Sequence, residues 1–172
     1  LQNIDDLKGL QLHYMLYSRR QLNEVMTWFW ENHFNTYFNS HRNLAFEVLE
    51  NQGFRQHALG NFRDILAVSA KSPAMIYYLN NAQNFVGRAN ENYARELYEL
   101  FTLGLDNGYT QQDIAETARA LTGWNGINSP PFCNPITFVP LLFDNTPKTI
   151  FGQAGNWGYD DVPALLFPAR GE

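Results

Sequence analysis

The sequence is short of cysteine, of basic residues and of long apolar runs, and each shortage excludes a class of protein. Cys133 is the only cysteine in 172 residues, so neither a disulfide within the chain nor a cysteine-based metal cluster can form. The 12 Lys and Arg residues are outnumbered by 17 Asp and Glu residues. The resulting net charge of −5 argues against a nucleic-acid-binding surface, which needs clustered basic residues. No apolar run approaches the roughly 20 residues of a membrane-spanning helix.

The common catalytic and phosphate-binding motifs are absent as well. The sequence has no HExxH, GxSxG or DxD pattern, and the glycine-rich segment 152–159 has no GxGxxG or GxxxxGK[ST] pattern. The oxygen-rich segment LDNGYTQQD (residues 105–113) lacks the ligand spacing and the distal glutamate of an EF-hand calcium loop. The sequence therefore specifies no cofactor and no metal site of a known pattern.

Hydrophobic periodicity predicts a mainly α fold. The chain is 45% hydrophobic and 15% aromatic, which is typical of a globular protein, and its length suits one domain. Apolar residues recur at helical spacing up to Trp124, whereas ITFVPLLF (136–143) and KTIF (148–151) are typical of two strands around a turn at 144–147. We expect one multi-helix, bundle-like domain over residues 1–172. Within it, residues 1–126 would be helical and residues 127–172 would form a hairpin and loop region, with a small β-hairpin near 136–151.

Capping residues set the predicted helix ends. We expect Ser18 to begin a second helix, Gly53 to end a third, and Thr110 with Asp113 to form a capping box. A last helix is expected to start at Asp160-Asp161. The predicted helices before this last one cover residues 3–17, 18–34, 44–52, 57–71, 73–80, 90–104 and 111–124.

The segment NENYARELYELFTLG (90–104) carries the best candidates for chemistry. Asn90 is expected to cap a helix that Gly104 ends, and this helix has an apolar stripe made by Tyr93, Leu97, Leu100 and Phe101. Glu96 lies at the border of that stripe, and Glu99 follows it on the same helix. These two are the candidate acid–base or metal-ligand carboxylates.

Two histidines could assist such carboxylates. His33 falls on the apolar face of its helix, where a core histidine bonded to a neighbouring carbonyl is the alternative. His57 shares a polar face with Asn61 and Asp64, for which a solvated helix face is the alternative.

Candidate binding residues are those that could hold an anion or a polar ligand. Arg63 rises from the middle of an apolar stripe, so it needs a partner or must reach the edge of the core. We predict that it forms a hydrogen-bonded ion pair with Glu96 or Glu99. The full set of candidates is Arg63, Asn92, Arg95, Arg119 and Trp124.

Six motifs resemble, in order along most of the chain, the bacterial family known as domain of unknown function 1800. They are FWENHF (29–34), HALGNFRDIL (57–66), SPAMIYYL (72–79), NENYARELYELFTLG (90–104), YTQQDIAETARALTGW (109–124) and KTIFGQAGNW (148–157). The resemblance implies a mostly helical, exported bacterial protein, periplasmic or secreted, with another exported protein encoded nearby as a candidate partner. It also implies an internal fragment of a longer protein, because family members are much longer. It supplies no activity and no catalytic residues, and Pro163 and the PARGE end depart from the pattern.

Two interpretations of the function remain open. The first is a non-catalytic binding or scaffold module outside the cytoplasm, because abundant aromatic and asparagine residues suit polar ligands and partner surfaces. The second is a metal- or carboxylate-dependent, hydrolase-like extracytoplasmic enzyme that uses Glu96, Glu99 and a histidine. A fragment should also expose apolar surface, which we expect near Trp28, Trp30 and residues 136–143.

Overall fold

A computed structural model of the chain describes residues 2–124 and 137–167. About 60% of the chain is helical, and a small two-stranded antiparallel hairpin accompanies the helices, so the mainly α fold class is confirmed. The chain divides into two compact units, residues 1–75 and 76–172. The predicted division at residue 126, the loop around Cys133 and the PARGE end lie outside the described residues.

The first unit consists of helices joined by short connections. They are α1 (Ile4–Tyr17), α2 (Gln21–His33), α3 (Leu44–His57), α4 (Phe62–Ala70) and the start of α5 (Pro73–Tyr78), with a 3-10 turn at Phe38–Ser40. Asparagines begin three of these helices, because the side chains of Asn3, Asn43 and Asn61 accept hydrogen bonds from backbone N–H groups of the first turn. The core consists mainly of buried aromatic and aliphatic side chains: Phe34, Phe46, Phe54, Ile65 and Leu66.

Gly53 does not end a helix, so that prediction is wrong. It lies inside α3, which continues to His57. A Cβ atom at position 53 would lie 2.5 Å from Cγ1 of Val68 on α4. The missing side chain therefore allows α3 and α4 to approach each other closely, which a helical glycine can do without a positive φ.

Ser18 does not begin α2 either. It is the residue that ends α1, where its N–H donates to the Tyr14 carbonyl, and its Oγ accepts from the N–H of Arg20 at 3.1 Å. Helix α2 begins at Gln21 without a side-chain cap. The serine hydroxyl thus stabilises the turn between the helices instead of the first turn of α2.

The second unit combines short helices with the hairpin. Its elements are a 3-10 turn (Asn81–Gln83), α6 (Glu91–Glu96), a π-helix (Leu97–Thr102), α7 (Gln111–Ala120), a 3-10 turn (Pro140–Leu142), β1 (Lys148–Ile150), β2 (Gln153–Gly155) and α8 (Val162–Leu166). Thr110 and Asp113 form the predicted capping box at the start of α7. The core of this unit includes Tyr93, Tyr98, Ile114, Leu121 and Ile150.

The predicted helix 90–104 changes type halfway. Its ends are confirmed, because Asn90 Oδ1 accepts from the N–H of Asn92 at 3.0 Å and Gly104 has φ +90°. Leu100, however, is 65% exposed, and Tyr98 is fully buried instead. A π-helix forms i→i+5 hydrogen bonds and holds more residues per turn, so side chains beyond Leu97 point away from their expected α-helical directions.

The hairpin lies further along the chain than predicted. Strand β1 coincides with the predicted strand 148–151, but it pairs antiparallel with β2, so that Lys148 lies opposite Gly155. The turn between them is Phe151-Gly152, with φ of 50° and 73°. Two consecutive positive φ values are typical of the type I′ turn that suits a two-residue hairpin loop.

The predicted strand 136–143 and the turn 144–147 as its connection are wrong. Ile136 lies outside the described residues, Phe138 forms only an isolated bridge with Trp124, and Pro140 begins a 3-10 turn. Proline lacks the N–H that a ladder needs, which explains why the apolar run does not extend as a strand.

Large apolar side chains are exposed on α1 and α2. Trp28 is 52% exposed and Leu141, in the second unit, 89% exposed, as expected for those segments. Trp30 is only partly exposed, because its Nε1 donates to the Ala58 carbonyl at 3.0 Å. Within residues 2–124 and 137–167, no helix combines the length and the apolar character needed to cross a membrane.

Candidate functional site

Of the two carboxylates predicted on the 90–104 segment, Glu99 lies beside an arginine, Arg95. Arg95 Nη2 lies 3.1 Å from Glu91 Oε2, and Arg95 Nη1 lies 3.5 Å from Glu99 Oε1. Glu96 is half-buried. Asn92 donates from Nδ2 to the Leu79 carbonyl at 3.1 Å. These contacts bring Glu99 and Arg95 together in a partly exposed i, i+4 ladder, a kind of pair that contributes little to stability.

Arg119 lies in a dense network at the end of α7. Its Nε donates to Asp144 Oδ2 at 2.8 Å and its Nη1 to Glu116 Oε1 at 2.8 Å. Burial alone would raise the pKa of Asp144, but hydrogen bonds from Arg119 and Thr146 lower it well below its ordinary value. The Trp124 ring packs 5.3 Å from the Tyr159 ring. Through its hydrogen bond to Asp144, Arg119 links segment 144–147 to α7.

His33, His57 and Arg63 all belong to the first unit. The His33 ring lies among aromatic rings, with its centroid 4.6 Å from that of Phe34 and 6.1 Å from that of Phe62. His57 is the last residue of α3, and Arg63 is exposed on α4. Glu96 belongs to the second unit, so the Arg63–Glu96 pairing stays a prediction.

A cavity in the first unit joins carboxylates that the sequence patterns did not single out. An outer chamber of about 390 Å³ has largely apolar walls from α1 and α2, including Ile4, Leu7, Leu12, Met15 and Trp28. An inner chamber of about 100 Å³ is lined by Leu7, Glu31, Asn35, Thr36, Glu47, Glu50, Asn51 and Phe54. Leu7, Glu31, Thr36, Glu47 and Asn51 line both chambers, so the two adjoin, and Glu50 lines only the inner one.

Hydrogen bonds hold two of the inner carboxylates. Glu31 Oε1 accepts from Asn51 Nδ2. Glu47 Oε1 lies 3.0 Å from His41 Nε2 and 3.4 Å from Thr36 Oγ1. The same Thr36 hydroxyl lies 3.4 Å from Glu50 Oε2. A hydroxyl has one hydrogen, so Thr36 can donate a hydrogen bond to only one of these two carboxyl groups at a time.

Glu50 is the most unusual group of the cavity. It is only 7% exposed, and its Oε1 has no hydrogen-bond partner among the described residues. Burial, reinforced by the charges of Glu47 and Glu31, raises the pKa of Glu50 to about 8. The nearby Ser72 hydroxyl offsets part of this rise in pKa. Glu50 is therefore mostly protonated at neutral pH.

Further polar and charged groups line the cavity. Glu31 also has a raised pKa, mainly because of burial. Gln11 Nε2 is a buried donor with no partner among residues 2–124 and 137–167, whereas Gln11 Oε1 accepts from Arg55 Nη2 at 2.6 Å. Lys8 also lines the outer chamber, and its exposed ammonium group lies 3.2 Å from Asp5.

The sequence does contain a signal for Glu50. Phe46, Glu50 and Phe54 follow one another at i, i+4 spacing on α3, and all three are buried. A charged residue at the centre of an apolar stripe is also the pattern that singles out Arg63 on α4. The predicted helix end at Gly53 conceals this signal, because it leaves Phe54 outside the helix. Glu31 and Glu47 carry no comparable signal.

Comparison with known proteins gives a family and nothing closer. Residues 1–170 match the family described as "Protein of unknown function (DUF1800)". Neither a curated protein nor a solved structure matches the chain significantly.

Proposed function

Because the chain belongs to the DUF1800 family, whose description names no activity, we propose its function from the cavity of the first unit. We propose that this unit is a binding module for a small molecule that has an apolar body and a polar end group. The apolar body occupies the outer chamber and the end group enters the inner chamber. The observation that carries the proposal is that a largely apolar chamber adjoins a smaller, mainly polar one, because ligand sites combine apolar walls with a few placed polar groups.

Hexyl compounds with different end groups test the proposal. Hexanol, hexanoate and hexylammonium share an apolar chain that suits the outer chamber. Burying this chain at about 0.8 kcal/mol per CH₂ corresponds to a dissociation constant on the order of 1 mM. We expect at least one of the three to bind in isothermal titration calorimetry.

Leu12→Trp and Leu16→Trp form a matched pair of variants for this experiment. Both leucines lie on α1 and are 56% and 62% exposed, but only Leu12 lines the outer chamber. We expect Leu12→Trp to fill the chamber and to weaken binding at least tenfold, and Leu16→Trp to leave it unchanged. Binding by none of the three compounds, or equal effects of the two variants, would show that the cavity is not a ligand site.

The surroundings of Glu50 support hydrolysis as a second candidate function. A carboxyl group with a pKa of about 8 can act as a general acid near neutral pH, and the Glu47–His41 pair lies beside it. Chromogenic esters and glycosides would detect such an activity. We expect Glu50→Gln to reduce it by at least a hundredfold, and turnover that survives this change would exclude Glu50 as the acid.

We further propose that the protein works outside the cytoplasm, together with another exported protein that is encoded nearby. The support is the export that the family resemblance implies. Fractionation of the native host, followed by immunoblotting of the full-length protein, tests the compartment. Recovery only in the cytoplasmic fraction would contradict it.

A further inference from the structure

The inner chamber has more hydrogen-bond acceptors than donors. Three carboxyl groups, those of Glu31, Glu47 and Glu50, belong to residues that line it. The donors that reach these oxygens are the Asn51 amide, the Thr36 hydroxyl and the His41 ring, and none of them reaches Glu50 Oε1. A ligand that brings N–H donors and a positive charge complements such a chamber.

Glu50 Oε1 supplies the direct sign of an incomplete site. It is buried, it belongs to a residue that lines the inner chamber, and it makes no hydrogen bond to the described residues. Leaving a buried acceptor unpaired costs about 1–3 kcal/mol, so a partner at this position would be stabilised. The Ser72 hydroxyl, another buried group without a hydrogen bond among the described residues, lies near it.

The volume and arrangement of the acceptors restrict the partner. A chamber of about 100 Å³ has room for a small head group, since a water molecule occupies about 30 Å³ of the liquid. Within the described ranges, no three His, Cys, Asp or Glu side chains are arranged to hold a metal ion. An ammonium group does not need three ligands arranged around one point as a metal ion does, because its three N–H bonds point in different directions.

We infer, on the basis of the proposed function, that the inner chamber binds a primary ammonium group and that Glu50 Oε1 accepts one of its hydrogen bonds. The apolar chain of the ligand lies in the outer chamber. A quaternary ammonium group is excluded, because it has no N–H to donate. The ligand class is therefore a primary alkylamine or a molecule that ends in one.

Binding of the cation changes the protonation of Glu50. The protonated carboxyl releases its proton to solvent, and the resulting carboxylate pairs with the ammonium group. At pH 7 a carboxyl with a pKa of about 8 is mostly protonated, so binding should release close to one proton per ligand. The other titratable or charged groups that line the two chambers are Lys8 on α1, Glu31 on α2 and Glu47 on α3, and His41 before α3 contacts Glu47.

The experiment is calorimetric titration of the full chain at pH 7 in phosphate and in HEPES, which have different ionisation enthalpies. The ligands are hexylammonium, hexyltrimethylammonium and hexanol, and buffers that are primary amines are avoided because they would compete. We expect hexylammonium to bind at least tenfold more tightly than the other two, with nearly one proton released. Glu50→Gln should reduce that affinity about tenfold and remove most of the proton release.

Ser72→Ala is the control for the neighbouring hydroxyl. It removes the other buried polar group near Glu50 but keeps the carboxyl, so hexylammonium should still bind with proton release. Proton release that persists in Glu50→Gln would come from a group other than Glu50 and would overturn the inference. Equal binding of hexanol and hexylammonium would overturn the ammonium site but leave the binding module standing, whereas no binding by any hexyl compound would reject both.

Discussion

Replacing Glu50 by glutamine is expected to make the protein more stable at pH 8 by roughly 3–5 kcal/mol. The Glu50 carboxyl has an ordinary pKa of 4.5, and in the native state this pKa rises to about 8, mainly because of burial. The native protein therefore keeps a proton that the unfolded chain loses between these two pH values. The stability that this proton contributes is fully present below about pH 4.5 and is lost as the pH rises through about 8.

Urea denaturation at pH 5 and at pH 8 measures this effect. The wild-type protein should lose stability between the two, whereas Glu50→Gln, which has nearly the same shape and cannot ionise, should lose much less. Asp113 and Asp144 have lowered pKa values, so they titrate below this range and do not contribute. Parallel stability curves for the two proteins would show that Glu50 does not titrate between pH 5 and pH 8.

Arg55→Ala should destabilise the protein by about 3–5 kcal/mol. Arg55 Nη1 donates to Glu24 Oε2, and its guanidinium carbon lies 4.4 Å from the Tyr14 ring centroid. Glu24 is only 4% exposed, so loss of the arginine leaves a buried carboxylate without its cation. The cost comes mainly from that stranded charge, because a buried ion pair contributes little net stability while both partners are present.

Two further variants separate the stranded charge from lost packing. Arg19→Ala removes an exposed arginine in the turn before α2 and should change the free energy of unfolding by less than about 0.5 kcal/mol. The double variant Glu24→Gln, Arg55→Met removes both charges and should recover a large share of the loss. If the double variant is as unstable as Arg55→Ala, packing of the arginine, rather than charge, accounts for the effect.

The features predicted correctly from sequence depend on residues close together in the chain. Asn90 and the Thr110–Asp113 box begin helices through hydrogen bonds that span two or three residues. Gly104 ends its segment through its own backbone conformation. Such short-range chemistry is the same in any fold, so the mainly α fold and most helix positions could be predicted.

The features that could not be predicted depend on neighbours distant in the chain. A glycine is typical of a helix end, but Gly53 lies inside a helix, where it makes room for Val68. Leu100 belongs to an apolar stripe only if the helix stays α, and the π turn changes its direction. Glu50 faces residues from α2 and from the loop before α3, so its role is visible only when those segments are brought together. The buried ion pair between Arg55 and Glu24 likewise joins two helices, and no local pattern marks it.

The contact between α3 and α4 makes positions 53 and 68 depend on each other. They occupy one shared space, in which the glycine leaves room for the valine side chain. A larger residue at 53 requires the Val68 side chain to move or to be replaced by a smaller one. The effect of a substitution at either position is therefore set by which residue occupies the other.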